Sequence, residues 1–418
     1  MSEGSKKELG IIRRIITAFI KWLVVAGLIG VIGGFIGSLF YISVTDATRL
    51  REANPWLLYL LPVGGVLIVL LYRATKMEQE NTNAIIDSVH FGDKVPLLLI
   101  PDIFVSTVIT HLCGGSAGRE GAALQIGGSI GSNVGNWFHL DDKDRRLAII
   151  CGMSAVFSAL FGTPLTATLF ALEVISVGVF YYSGFLPCIV SSLAAFGITQ
   201  LLHLEPTHFA IAVEPLSFSL MWRVAILAVG CALVSAFFCE AMHVSERVIS
   251  WVLPNSYVRA IIGGLALIGL TLLVGNRDYN GTGMEVIRAA LEEGKASPIA
   301  FLLKILFTAI TLGCGFRGGE VVPTFFIGAT FGCVLGPLLG LPAGFSAAIA
   351  LVAVFCGAVN CPIASLALAT ELFGASELLY FALAIAISYL LSGYVGLYRS
   401  QKIIYSKTRA EFINMQAK

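Results

Sequence analysis

The sequence predicts an all-α, polytopic membrane protein built on an internal repeat of broken helices. Three observations carry this. Of 418 residues, 57% are hydrophobic and 13% charged, about half the charged share of a globular domain. The chain holds 44 glycines, many of them inside apolar runs, where small residues let helix backbones approach closely in a bilayer. Several apolar runs are only about 12–15 residues long, short of the roughly 20 a spanning helix needs. Glycine and proline interrupt them, the pattern of re-entrant helices around a midplane site.

In order, residues 15–44 form the first span, with Gly27, Gly30, Gly33, Gly34 and Gly37 as a small-residue stripe. Residues 56–72 form the second. A polar connection at 73–83 precedes a helix starting at 84, capped by Asn81, Thr82 or Asn83. Residues 95–113 run into a glycine stretch at 114–131, GGSAGREGAALQIGGSIG, and a polar loop follows at 137–146. Two shorter pieces, 147–160 and 164–180, come before spans at 184–202, 216–240 and 259–274. A polar stretch at 275–298 and a run at 299–312 lead into a second glycine stretch at 313–332. Runs at 341–355, 362–373 and 378–397 complete the membrane part, and the remainder reads as a polar tail.

The repeat is visible in the residues. Ile126-Gly127 and Gly131 pair with Ile327-Gly328 and Gly332, 201 positions on. Gly118-Arg119-Glu120-Gly121 meets Arg317-Gly318-Gly319-Glu320. Cys151-Gly152, Pro164 and Glu173 pair with Cys356-Gly357, Pro362 and Glu371, and in both copies the Glu follows the Pro by nine. These coincidences predict halves of about 15–205 and 216–398, related by an inverted repeat, with the site where the glycine turns meet.

The formal net charge of +1 gives no case for nucleic-acid binding. Lys6, Lys7, Arg13, Arg14 and Lys21 precede or begin the first run, and Arg399, Lys402, Lys407 and Arg409 follow the last. By the positive-inside rule both termini are cytoplasmic. Residues 1–14 are then a cytoplasmic N-terminus and 401–418 a short cytoplasmic tail of a multi-pass protein of the cell (inner) membrane. The first apolar run is too long for a cleavable signal. Nine cysteines without a CxxC pair and six histidines without ligand spacing predict no metal site, disulfide framework or cofactor. The cysteines read as buried thiols. His111 reads as a packed neutral histidine, with proton handling as the alternative.

The chemistry concentrates at Arg119 and Glu120. A charged pair at bilayer depth is costly and reads as functional; the plainer alternative is a loop ion pair. Glycines before a helix free backbone amides, and the helix N-terminus adds partial positive charge, so the place suits an anion. Glu120 is itself an anion there. An intramembrane protease would need a Ser/His, Asp/Asp or zinc constellation, and no such pair stands out. A non-transporting scaffold would have no reason to keep Glu120 and Glu320 beside glycine turns. An anion carrier or channel fits. Buried carboxylates also suit proton transfer, because burial disfavours the charged form. A protonated Glu120 would leave the anion seat and an ionised one would compete for it.

These residues resemble the CLC family of anion channels and transporters. Gly115-Ser116-Ala117-Gly118-Arg119-Glu120-Gly121, followed by Gln125-Ile126-Gly127, is similar to its GxxxGREGP…Q.G motif. Ser158, Pro164-Leu165 and Leu172-Glu173 resemble its F-N-A-P-L…E run. Gly318-Gly319-Glu320-Val321-Val322-Pro323 stands where the family has GGIFAP, and Gly396-Leu397-Tyr398 resembles the segment whose tyrosine hydroxyl faces the central anion. The resemblance covers about residues 15–400. It implies a CLC-like fold, a homodimer with a separate pore in each subunit, and Glu120 as the gating glutamate.

The departures point to one branch. The family's GSGIP serine turn is absent, and Asn81-Thr82-Asn83-Ala84-Ile85 occupies its region. Ala122 replaces the Pro after GREG, Val174 stands where chloride/proton exchangers carry an internal proton glutamate, and Glu320 replaces the apolar residue of GGIFAP. This combination is similar to the fluoride/proton antiporter branch, which commonly has a hydroxyl residue where this chain has Val322. Fluoride is small and strongly hydrated, so its site must return strong hydrogen bonds, which the amides of Asn81 or Asn83 could supply.

The expectation is therefore proton-coupled anion transport, with fluoride exported in exchange for protons and no enzymatic activity. Glu120 is the outer gate and proton carrier, and Glu320 a second carboxylate for ion or proton transfer. Gly118, Arg119, Gly121, Ala122, Gly319, Val321, Val322, Asn81, Thr82, Asn83 and Tyr398 line the path. The implied partners are fluoride or chloride, protons, a second copy and the lipid bilayer. A chloride channel or chloride/proton antiporter is the alternative within the family, and a membrane scaffold the alternative outside it. Plainer roles are a helix cap for Asn81–Asn83, a belt position for Tyr398, turn anchoring for Arg119, and backbone bonding for Glu173 and Glu371.

Overall fold

Two sets of eight helices follow one another in the computed structural model, which describes residues 3–212, 214–376 and 378–418, with side chains from residue 10 on. The side chains of Lys6 and Lys7, part of the expected basic N-terminus, lie outside what is described. The first set is α1 (Glu3–Ala53), α2 (Leu61–Thr75), α3 (Thr82–Phe91), α4 (Leu99–Cys113), α5 (Glu120–Trp137), α6 (Asp142–Phe161), α7 (Pro164–Glu173) and α8 (Phe185–Leu201). The second is α9 (Phe218–Val252), α10 (Ser256–Val274), α11 (Met284–Arg288), α12 (Ala300–Gly313), α13 (Val321–Leu338), α14 (Ala343–Val359), α15 (Pro362–Phe373) and α16 (Leu378–Leu391). The sets correspond in order. Each opens on a long helix, keeps its third helix short and breaks the chain at a glycine turn before its fifth. The fifth helix has 18 residues in both sets, and the seventh starts at a proline.

The repeated glycines explain themselves at the helix contacts. α5 packs on α6 and α13 on α14. A methyl group at Gly127 would strike the Gly152 carbonyl, and one at Gly131 the Ala148 carbonyl. In the second half, Gly328 and Gly332 meet the carbonyls of Ala350 and Ser346 in the same way. Four glycines thus let backbones touch where any side chain would push the helices apart. The stripe on α1 does the same with partners of both kinds: Gly30 and Gly34 face Ser191 and Ala195 of α8, and Gly33 and Gly37 face Ala155 and Ala159 of α6.

Among the described residues, six helical segments are long and apolar enough to cross a membrane, and α4, α12, α14, α15 and α16 are shorter apolar helices. Of these α14 is the innermost, buried from Phe345 to Val359, while α4, α12, α15 and α16 each keep an exposed apolar face.

Several boundaries depart from the sequence reading. α6 begins at Asp142, ahead of its apolar run, because Asp141 accepts the Asp144 N–H as a cap. The piece expected at 164–180 stops at Glu173 and turns into a short strand, β1 (Ser176–Val177). α9 continues to Val252, and α16 ends at Leu391, leaving Tyr398 on a non-helical segment. The tail folds into β2 (Lys402–Tyr405) and β3 (Phe412–Gln416). β2 pairs parallel with β1 and antiparallel with β3. Strands this short carry no periodicity that a sequence can show, and the β1–β2 pairing joins segments far apart in the chain.

Candidate functional site

The two glycine turns meet. The Gly118 N–H donates to the Gly319 carbonyl at 2.7 Å, and the Gly319 N–H to the Gly118 carbonyl at 2.8 Å. This reciprocal pair sets the register of the repeat: Arg119 corresponds to Glu320, and Glu120 to Val321. It also brings the N-termini of α5 and α13 together, so both helix dipoles present their positive ends to one place. First-turn amides have no intrahelical partner; among the described residues those of Gly121, Ala122 and Val321 also find no other carbonyl. The expectation needs one correction here. The amides of Gly118 and Gly319 are satisfied by each other and are not free to meet an ion.

Glu120 sits over these amides. Its side chain is fully buried, and Oε2 accepts the N–H of Arg119 at 3.0 Å and the N–H of Val322 at 3.2 Å. One carboxylate thus bonds the N-terminal turns of both halves, while its Oε1 is buried without a partner. Arg119 turns the other way. Its guanidinium stacks on the Tyr41 ring, 4.3 Å from the centroid. There it lines a cavity of about 400 Å³ with Arg49, Arg51, Arg277 and Asp278. Among the described residues Arg119 and Glu120 form no ion pair, which removes the loop-ion-pair reading. Arg119 contributes its backbone N–H to the seat and its side chain to the turn.

A second cavity, about 140 Å³, opens on the face that carries the C-terminal strands. Asn81, Thr82, Asn83, Gln125, Glu320 and Tyr398 are among its lining residues. The Asn81 oxygen caps α3 by accepting the Ala84 N–H at 3.0 Å, and the Asn83 oxygen accepts the Ser400 N–H at 3.1 Å. With both oxygens engaged, the two side-chain NH2 groups are the donors left for the cavity. The capping role and a role at the cavity are therefore compatible. Thr82 Oγ1 accepts from Gln125 Nε2 at 3.2 Å and donates to the Gly121 carbonyl at 3.4 Å, tying α3 to the first turn of α5. Glu320 Oε2, Gln125 Oε1 and the Tyr398 hydroxyl are buried with no protein partner. Buried polar atoms are rarely left unpaired, so three around one cavity mark a place built to receive something.

Sequence reasoning assigned no role to two residues here. Gln125 appeared only as part of a motif, yet it lies one helical turn beyond Gly121 and so reaches the same cavity. Arg317 stacks on Tyr72 at 4.1 Å and donates to the carbonyls of Glu80 and Glu78. With Arg247, Arg259 and Arg399 it rims the outer part of this opening.

Glu173 and Glu371 take the plainer role. Glu173 accepts the N–H groups of Ile363 (3.2 Å) and Ala364 (2.8 Å), and Glu371 those of Leu165 (2.9 Å) and Thr166 (2.8 Å). The Glu that ends α7 caps α15, and the Glu that ends α15 caps α7. His111 is buried with Nε2 3.3 Å from the Gly118 carbonyl, packed behind the turn. The nine cysteines are free and buried.

The family model described as voltage gated chloride channel matches residues 64–393. The chain belongs to the voltage-gated chloride channel family. A chloride/fluoride channel protein of Pseudomonas syringae pv. tomato is 39% identical over 399 residues, spanning 93% of this chain and 87% of the relative. An H(+)/Cl(-) exchange transporter of Vibrio vulnificus is 23% identical over 384 residues, spanning 84% and 82%. The crystal structure of a CLC-type fluoride/proton antiporter matches with a TM-score of 0.88 at 32% identity, covering 91% of this chain and 98% of that one. That of a slow cyanobacterial Cl-/H+ antiporter matches with a TM-score of 0.73 at 19% identity, a likeness of fold alone. As a voltage-gated chloride channel family protein the chain is a multi-pass membrane protein, and the paired glycine turns lie inside the matched region.

Proposed function

We propose that this chain exchanges fluoride for protons across the cell membrane and so exports fluoride. The observation that carries this reading is the Glu120 carboxylate on the Val322 and Arg119 amides. A negative side chain occupies the donors that a small anion needs. Once protonated, that carboxyl gives up its charge, its hold on the amides weakens, and an anion can take its place. Ionised again, it expels the anion. One seat contested by two occupants couples anion movement to proton movement without any covalent step.

Glu320 and Tyr398, at the second cavity, are the polar groups through which the ion or proton reaches that face, with the NH2 groups of Asn81 and Asn83 as added donors. Fluoride is favoured over chloride because NH and OH donors return the strong hydrogen bonds a small ion loses on dehydration. The Pseudomonas relative is a chloride/fluoride channel protein and the matching structure a fluoride/proton antiporter. We place residues 1–14 and 401–418 in the cytoplasm, flanking a transport domain at 15–400, and infer a homodimer with one path per subunit. Light scattering in detergent checks the dimer.

Reconstitution into liposomes tests the main reading, with fluoride, chloride and proton fluxes followed side by side. Fluoride efflux with little chloride efflux, accompanied by proton uptake, is expected. For Glu120→Gln, proton flux falls to background while the protein stays folded. Unchanged proton-coupled flux in that variant overturns the gate assignment. Chloride efflux exceeding fluoride efflux overturns the choice of ion.

A further inference from the structure

A third cavity, about 450 Å³, lies away from the ion path, between α3, the N-terminal end of α6 and the small sheet. Lys143, Arg146, Lys402 and His90 line it, and no carboxylate does. Among the described residues none of the three cations forms an ion pair; the nearby Arg145 pairs with Asp142 instead. Arg146 Nε and His90 Nε2 are buried without a hydrogen-bond partner. Asp87, the carboxylate closest to His90 along α3, accepts from the Ser400 hydroxyl at 2.7 Å. Three cations around a hollow that no carboxylate lines, with the Arg146 Nε–H unpaired at its wall, call for an anion with several acceptor oxygens.

The position of the hollow points to the source of that anion. Tyr181 and Ser183 also line it, at the start of the candidate span Tyr182–Leu201. Tyr182 is 82% exposed, and Phe91, whose ring lies 5.0 Å from Lys402 Nζ, is also exposed. Exposed aromatic rings at the start of a span mark the headgroup level of a bilayer. Basic pockets at that level bind phospholipid head groups.

We propose that this hollow binds the phosphate of an anionic phospholipid, held by Lys143 and Arg146 of α6 and Lys402 of β2. The bound headgroup bridges α6 to the segment that presents Tyr398 to the second cavity. That segment is already tied to α3 through Ser400 and to Ile175 through the Lys402 N–H. Binding therefore steadies one wall of the ion path, a consequence that rests on the transport reading; the binding itself does not.

Native mass spectrometry of the full chain, released from detergent with graded phosphatidylglycerol or phosphatidylcholine, tests it. Phosphatidylglycerol is retained in preference to phosphatidylcholine. Lys143→Gln and Lys402→Gln each lower that retention about fivefold, as expected for one interfacial cation. The Lys143→Arg/Lys402→Arg pair keeps the charge and keeps the lipid. Glutamine variants that elute as the wild type does and retain phosphatidylglycerol equally overturn the site. Thermal protection by inorganic phosphate without protection by phosphatidylglycerol overturns the lipid as its source. None of these readouts uses ion flux, so failure here is distinct from failure of the transport reading.

Discussion

Glu120 and Glu320 look alike in the sequence, each beside a glycine turn, but the fold gives them different surroundings. Glu120 opens α5 and reaches across to an amide of α13. Glu320 stands in the repeat position of Arg119 and faces the opposite cavity, with its Oε2 unpaired. The glycines between them are constrained more tightly than either acid. A side chain at Gly319 would lie 2.5 Å from the Gly121 nitrogen and 2.8 Å from the Glu120 nitrogen, in the space above those amides. Gly319→Ala is therefore expected to lose nearly all anion flux in liposomes. Overpacking at a site this tight costs about 1–3 kcal/mol of stability, so a detergent melt alongside separates a blocked seat from an unfolded protein.

At the level of helices, the proline-to-glutamate spacing of nine proves to be a reciprocal cap. α7 and α15 each begin with a proline, which lacks an N–H, so the next two amides fall to the partner's carboxylate. This clasp joins the two halves a second time, in addition to the glycine pair. Glu371→Gln keeps the shape but weakens charge-assisted bonds, for a loss of about 1–3 kcal/mol. A lower melting temperature with unchanged flux per folded molecule is the expected result. The Pro/Glu pairing was legible as a repeat; its meaning was not, because a carboxylate bonding amides 190–206 residues away leaves no local pattern.

Across the whole molecule, two openings of unlike lining lie on either side of the paired glycine turns. Arg119, with Arg49, Arg51 and Arg277, faces one opening, and Arg317, with Arg247, Arg259 and Arg399, rims the other. Glu52, Asp278 and Glu285 also line the first opening and Glu78 and Glu246 the second, so each keeps a net excess of arginines, which concentrates anions without placing a cation on the seat itself. Arg317→Gln is expected to slow anion flux several-fold at low ionic strength and much less near 0.15 M, where the Debye length is about 8 Å. Initial rates measured across a salt series check this; equal slowing at all salt concentrations would assign Arg317 a structural role in holding the Glu78–Glu80 loop.

Read alone, the amino-acid sequence determined the membrane class, the helix-by-helix order of the apolar core, the repeat, and the two glycine turns around Glu120 and Glu320. These rest on composition and local periodicity, which a linear chain displays directly. Only the tertiary structure decided which amides are free, that Arg119 points away from Glu120, that Gln125 and Arg317 line the second opening, and that the tail closes a small sheet beside a basic hollow. Each of those depends on the meeting of segments about 40–240 residues apart, and the direction a side chain takes at such a meeting is set by packing that no single stretch encodes.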